Sequence, residues 1–259
     1  MEMYNKSTGA AAGLRLLGAG ALNLLYPRRC PFCDEVLGSV PECENCRAEL
    51  TALRLKDPRL EPGTHYFGKL EGAAAAFRYD GIVRAAILRV KYQGCRWYGR
   101  DLGNLLAKEL FGCTFWQKYG ILLPKRLPVA IRQYDVIVPV PKSSNERGYN
   151  VPGLLAAPLS QALDIPVLAD ALCRSRFARH QAGLPLAERL ENVAGAFVAA
   201  KDTELAGKRV LLADDVITTG ATAAACTAAL LAAGAESVYA VALASSQWQE
   251  DLPDRENGL

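Results

Sequence analysis

From Arg209 to Ala225 the chain reads RVLLADDVITTGATAAA, and this stretch restricts the fold more than any other. Val210–Ala213 is a short apolar run of the kind that forms a strand buried on both faces of a parallel sheet. Ala221–Ala233 is a strong helix former that stops at Gly234. A strand that turns directly into a helix is half of a βαβ unit. The turn between them therefore belongs at the C-terminal edge of a sheet, where open α/β folds bind ligands.

The same rhythm runs through residues 133–247. YDVIVPVP, IPVL, KRVLLADD and SVYAVALA read as strands, and VPGLLAAPLSQAL and ATAAACTAALLAAG read as helices. This alternation predicts an α/β fold, a parallel sheet flanked by helices. Residues 56–132 open on a proline-rich link, KDPRLEPG, followed by a strand, AAAAFRYD. A helical pattern then breaks near KYQGCRWYG and resumes in RDLGNLLAKELF. A chain of 259 residues has room for one large domain and a small appendage. The expected division is 1–55 as the appendage and 56–247 as the main domain, with 56–132 its N-terminal part and 133–247 its core; 248–259 is a frayed polar tail.

Cysteines mark the appendage. Four of the eight fall at Cys30, Cys33, Cys43 and Cys46, as CPFC and CENC. Two Cys-x2-Cys pairs give four thiolates in tetrahedral array, the usual structural Zn2+ site, with no position left open for catalysis. Two disulfides, four free thiols, an iron–sulfur site or a redox pair are the alternatives. Cys95, Cys113, Cys173 and Cys226 sit in apolar surroundings and read as core residues.

The N-terminal LRLLGAGALNLLYP places Leu14, Leu17, Leu22 and Leu25 at helical spacing. It reads as a short amphipathic helix that packs on its own protein or lies on a membrane surface. It lacks the pattern of a secretory signal, and nothing reaches the roughly 18 apolar residues of a transmembrane helix. A cytoplasmic protein is expected. The net charge of +3 does not announce a nucleic-acid binder, and two histidines disfavour a His-rich metal site or a Ser–His triad. GTHYFGKL at Gly63–Leu70 matches a P-loop until its last residue, where Leu replaces the hydroxyl that would hold Mg2+. It also lacks the strand before and the helix after, so a P-loop is excluded.

The turn itself carries chemistry. Backbone amides at the start of the helix point outward, and the helix dipole favours an anion there. Thr218, Thr219 and Thr222 add hydroxyls, and Gly220 lets the main chain close around a phosphate. A helix cap would need one such residue, and this turn supplies five. Asp214 and Asp215 would repel that phosphate, so they suit a neighbouring part of the same ligand, such as sugar hydroxyls, with Mg2+ nearby. Successive strand residues face opposite ways, so the two acids are expected to do different work.

LLADDVITTGAT resembles the phosphoribosyl pyrophosphate (PRPP) signature of type I phosphoribosyltransferases. The resemblance implies that Asp214 and Asp215 hold the ribose, and that Thr218, Thr219, Gly220, Ala221 and Thr222 hold the 5′-phosphate. Arg147, Gly148, Tyr149 and Asn150 resemble the R-G-[FY]-N motif of the ComF family of competence proteins. Gln181, Gly183, Leu184, Arg189, Asn192 and Gly195–Phe197 resemble a later stretch of that family, and Lys91-Tyr92-x-Gly94 its K-Y-x-G. With the cysteine knuckle in front, the resemblance covers about residues 25–245. It implies a type I phosphoribosyltransferase-like fold, with Asp214, Asp215, Lys91 and Arg147 as catalytic residues and Tyr92, Asn150, Gln181 and Arg189 at the ligand. The basic arm Arg174, Arg176, Arg179 and His180 would close over pyrophosphate or lie as a solvated loop.

Two functions follow from the resemblance. One is Mg2+-dependent transfer of a phosphoribosyl group to an acceptor. The other is a non-catalytic role, in DNA uptake through single-stranded DNA or a partner helicase, or as a PRPP-sensing regulator. Trp97 and Tyr98, beside Arg96 and Arg100, either offer stacking and charge to DNA or belong to the core.

Overall fold

The computed structural model describes residues 27–38, 40, 42–62, 64–118, 121–128, 133–142, 148–175, 195–201 and 203–247. The expected N-terminal helix, the polar tail, Arg147, Gln181 and Arg189 lie outside these residues, as does the basic arm beyond Arg174.

In chain order the elements are α1 (Glu44–Leu53), β1 (Arg59–Leu60), β2 (Gly72–Arg78), α2 (Gly81–Tyr92) and α3 (Tyr98–Phe111). A hairpin, β3 (Phe115–Lys118) and β4 (Ile121–Pro124), leads to β5 (Val136–Pro139) and α4 (Val151–Leu163). A two-stranded ribbon, β6 (Leu172–Arg174) with β7 (Phe197–Ala199), precedes β8 (Arg209–Ile217), α5 (Ala221–Ala232) and β9 (Ser237–Ser245). The central sheet has the order β1-β2-β9-β8-β5. Its last four strands are mutually parallel and β1 runs against β2.

Alternation along each strand sorts the core into two layers. Leu211 and Ala213 of β8, with Val241 and Leu243 of β9, pack under α2, α3 and α4. Val210 and Leu212, with Ala240 and Ala242, pack under α5 and the ribbon. Strands buried on both faces explain the near-continuous apolar runs in the sequence. The expected α/β fold is the fold observed.

Three expectations need adjusting. Of the cysteines read as core, Cys113 and Cys226 are buried, but Cys95 is half-buried and Cys173 is exposed on the short ribbon strand β6. IPVL forms no strand: Val167 makes a single parallel bridge to Ile137, whose amide bonds Pro166 and whose carbonyl takes the Leu168 amide, and the pairing goes no further. The strand KRVLLADD runs on to Ile217, since β9 stays in register as far as Ser245 opposite it. Asp214 and Asp215 are therefore strand residues, and the turn begins at Thr218.

Gly99 and Gly103 share one face of α3 and let α4 approach closely. A Cβ on Gly103 would stand 2.7 Å from the Leu155 main-chain oxygen and 2.9 Å from Pro158 Cγ. Gly103→Ala is expected to cost roughly 1–3 kcal/mol by overpacking this crossing. Urea denaturation checks it, with a lower midpoint and an unchanged slope.

Candidate ligand-binding site and metal centre

At the end of β8 the pleat sends two adjacent carboxylates to opposite faces. Asp215 faces the α2 side, where Lys91, one residue from the end of that helix, places Nζ 2.5 Å from its Oδ1. Both side chains are largely out of solvent, at 21% and 9% exposure. Asp214 faces the α5 side, close enough to Cys226 to help burial push that thiol well above the ordinary range. The Asp214 Oδ1 accepts the Asp215 amide at 2.7 Å. Burial, and then the neighbouring charge of Asp215, push the Asp214 carboxyl up to about 8. One acid is thus paired with a lysine, and the other is a carboxyl whose protonated form burial favours, able to donate as well as accept.

The turn that follows is small and tightly covered. Gly220 has φ +82, and a Cβ there would lie 2.5 Å from the Tyr66 main-chain oxygen. Tyr66 in turn donates its amide to the Thr219 carbonyl at 2.7 Å. Gly220 itself supplies no cap to α5, and the Ala221 amide reaches only the Thr219 hydroxyl, at a long 3.5 Å. The flanking Thr218 and Thr222 are exposed.

Neighbouring strands bring further groups to the same sheet edge. The Val140 amide bonds the Ala213 carbonyl at 2.8 Å, and Asn150 Nδ2 donates to the Val140 carbonyl at 2.9 Å. The Oδ1 of Asn150 is buried and has no partner among the described residues. The Tyr149 hydroxyl donates to the Val90 carbonyl at 2.5 Å, tying the start of α4 to the end of α2. Lys91, Asn150, Asp214, Asp215 and residues 218–222 thus share the C-terminal edge of the sheet. Tyr92 is 71% exposed and turns outward. The aromatic pair splits: Tyr98 is core, whereas Trp97 is 62% exposed beside exposed Arg96 and Arg100.

Sequence reasoning missed the segment that roofs the turn. His65 is buried, with Nε2 3.1 Å from the Ser245 hydroxyl at the end of β9 and Nδ1 2.9 Å from the Thr64 hydroxyl. These contacts pin residues 64–68 over Gly220. The segment carries no period and only a broken P-loop pattern, so nothing in it announces a role.

The four cysteines Cys30, Cys33, Cys43 and Cys46 place their sulfurs within 4.8 Å of one another. Cys30 and Cys46 are 3.9 Å apart and Cys33 and Cys43 are 3.6 Å apart. A tetrahedral zinc with Zn–S near 2.3 Å requires sulfur–sulfur edges of about 3.8 Å, so the donors fit a metal such as zinc. Burial pushes the Cys30 thiol up to about 11 and Cys46 higher still. At Cys33 burial acts in the same direction but is outweighed by the Glu35 amide and the neighbouring thiols, which hold it below the ordinary range. A cation is what relieves thiolates packed this closely. Among the described residues no helix is long and apolar enough to cross a membrane.

Residues 132–256 match the family described as Phosphoribosyl transferase domain. Over 207 residues the chain is 30% identical to Competence protein F of Haemophilus influenzae, covering 78% of this chain and 84% of that protein. Two solved structures are also similar to it. One is glutamine phosphoribosylpyrophosphate (PRPP) amidotransferase from B. subtilis complexed with ADP and GMP, at 22% identity, over 56% of this chain, with TM-score 0.34. The other is the allosteric regulatory enzyme of purine biosynthesis, at 24% identity, over 59% of this chain, with TM-score 0.35. In each case the match spans 26% of the other chain, about a quarter of its length.

The raised Asp214 carboxyl makes a prediction about stability. Between pH 3.8 and about 8 the unfolded chain ionises this group and the folded chain does not. The folded state then holds the extra proton, so this group lowers stability progressively as pH rises through that window. Asp214→Asn removes the penalty and keeps the oxygen that accepts the Asp215 amide. Its thermal midpoint should exceed that of the parent at pH 7.5 by a few degrees, with the gap closing toward pH 4. Thermal denaturation across this pH range measures it.

Proposed function

The chain belongs to the ComF family, with a phosphoribosyltransferase-like domain behind a four-cysteine knuckle, and on that premise we propose that it binds PRPP or a related ribose 5-phosphate with Mg2+ and transfers the phosphoribosyl group to an acceptor. In this reading residues 1–55 form the metal-bearing appendage and 56–247 the ligand-binding domain. The observation that carries it is the juxtaposition at the end of β8: Asp215 paired with Lys91 on one face, a protonatable Asp214 on the other, and a helix start among threonines beyond them, held by a single long hydroxyl contact.

Each group has a task suited to its state. The amides of residues 219–222 and the hydroxyls of Thr218, Thr219 and Thr222 take the 5′-phosphate, whose charge the helix start favours. Asp215 accepts from one ribose hydroxyl while it stays paired with Lys91. Asp214, protonated near neutral pH, exchanges hydrogen bonds with the adjacent hydroxyl as donor or acceptor. Lys91 also offers its positive charge to a leaving pyrophosphate. Asn150, tied to the Val140 carbonyl at that edge, has a buried Oδ1 free of partners among the described residues. Arg147, Gln181 and Arg189 complete the set by resemblance, with Tyr92 at the rim.

Mg2+ takes one or two carboxylates together with substrate phosphates, and Asp215 would hold it in that mode, joined by Asp214 once that carboxyl loses its proton. The ion would supply positive charge against the departing pyrophosphate. The reaction breaks the bond between ribose C1 and the pyrophosphate oxygen and forms one from C1 to the acceptor nucleophile. The fixed positive charge of Lys91 favours that separation.

A second reading has one observation in its favour. Trp97 is 62% exposed, with exposed Arg96 and Arg100 close to it in sequence, a combination that can stack a base and track a phosphate backbone. It is a non-catalytic role in DNA uptake. A PRPP-sensing role needs the same ligand site without turnover.

Calorimetry with PRPP and Mg2+ tests the first reading. Asp215→Asn is expected to weaken binding about ten- to a hundredfold, the size of one charge-assisted contact. Pyrophosphate release with metabolite fractions then reports transfer. Unchanged affinity in Asp214→Asn and Asp215→Asn would refute the ribose assignment. Salt-sensitive binding of single-stranded DNA that survives both substitutions, without PRPP binding, would favour the second reading.

A further inference from the structure

The four-cysteine segment grips both ends of the helix that carries Lys91. At the start of α2, the Glu49 carboxylate of α1 accepts the Ile82 amide at 3.2 Å. At its end, Arg89 Nη1 donates to the main-chain oxygen of Pro31 at 3.1 Å. Pro31 is the residue between Cys30 and Phe32, inside the first Cys-x2-Cys pair. The Arg89 guanidinium also stands 6.0 Å from the centre of the Tyr98 ring, and the Tyr98 hydroxyl donates to Asp34, the residue after Cys33. Two residues beyond Arg89, Lys91 reaches Asp215.

The first knuckle turn closes through three main-chain bonds, Cys30 amide to Glu35, Asp34 amide to Cys30 and Leu37 amide to Arg28, and it holds Asp34 at φ +66. A non-glycine residue in that left-handed region leans on its surroundings, here Arg29 at the Asp34 carbonyl and Tyr98 at its side chain. A metal on Cys30 and Cys33 would add to that fixing, and the Pro31 carbonyl that receives Arg89 lies between those two ligands. The buried knuckle residues Phe32, Leu37 and Leu50 belong to the same apolar layer as Val83, Ile87 and Val90 of α2, so a shift in one is felt by the other.

We infer that metal occupancy of the Cys30–Cys33–Cys43–Cys46 cluster sets the position of Lys91 against Asp215, with Arg89 as the positioning residue that carries the coupling. The inference rests on the ligand-site reading only in the role given to Lys91. The coupling itself is a property of the unliganded chain. Loss of the metal frees the Pro31 turn, the last turn of α2 relaxes, and the lysine withdraws from the carboxylate.

Trace acetylation of the full zinc-loaded chain, read for each lysine by peptide mass spectrometry, measures how firmly Lys91 is held in its ion pair. Arg89→Met keeps the aliphatic stem over Tyr98 and removes the donor to Pro31. It is expected to acetylate Lys91 about three- to tenfold faster than the parent, the range of one lost hydrogen bond, with exposed Lys56 unchanged. Arg89→Lys should fall between the two, and Arg84→Ala, exposed on the same helix, should match the parent. Zinc chelation of the parent should raise the Lys91 rate in the same way. If Arg89→Met does not fold, Tyr98→Phe carries the test through the Asp34 arm, with a smaller rise. An unchanged Lys91 rate in the folded variants or on chelation overturns the coupling. Ribose 5-phosphate titrated into the same proteins separates the two ideas. Faster acetylation in a chain that never binds it leaves the coupling and removes the site reading. Protection of Lys91 by ribose 5-phosphate with no effect of Arg89→Met does the reverse.

Discussion

Two adjacent carboxylates sit near the end of an interior strand of the sheet, and burying them is the constraint around which the site is built. An ionised carboxylate taken out of water costs several kcal/mol unless it is paired. The pleat prevents one partner from serving both. Asp215 is met by Lys91 on one face, and Asp214, on the other, escapes the cost by holding its proton. That division requires α2 to end beside β8. The carboxylates therefore depend on how α2 is anchored, and residues 64–68 depend in turn on the glycine that lets them lie across the neighbouring turn.

Anchoring links the two ends of the described chain. The knuckle's apolar residues share a layer with α2 and α3, and Arg28 joins Asp101 of α3 in a nearly buried pair at 2.7 Å. The cysteine segment is thus packed into the fold that carries the site, with Arg89 as its nearest link to Lys91. Removing a metal from such a segment would loosen a helix end as well as the knuckle itself.

Much of this was legible in the sequence for identifiable reasons. β8 and α5 could be placed because an apolar run and an alanine-rich helix are unambiguous patterns on either side of a glycine turn. α4 matched its expected Val151–Leu163 even with Pro158 inside it, because the apolar face persists through the proline. The opposite facing of Asp214 and Asp215 followed from strand geometry alone. The Lys91–Asp215 pair could not, since 124 residues separate its members; only resemblance suggested the lysine. IPVL failed as a strand because a short apolar run does not reveal how many neighbours it will find. The roof over Gly220 and the role of Arg89 rest on main-chain contacts to Tyr66 and Pro31, and main-chain contacts leave no side-chain signature to read.

The central claim is that the end of β8 and the start of α5 grip a ribose 5-phosphate. A crystal structure of the full chain soaked with ribose 5-phosphate tests it most directly. The account predicts phosphate density against the amides of residues 219–222, with ribose hydroxyls within hydrogen-bond distance of Asp214 and Asp215. Density at the groove lined by Asp170, Lys201 and Lys208, with nothing bound at the turn, would contradict it.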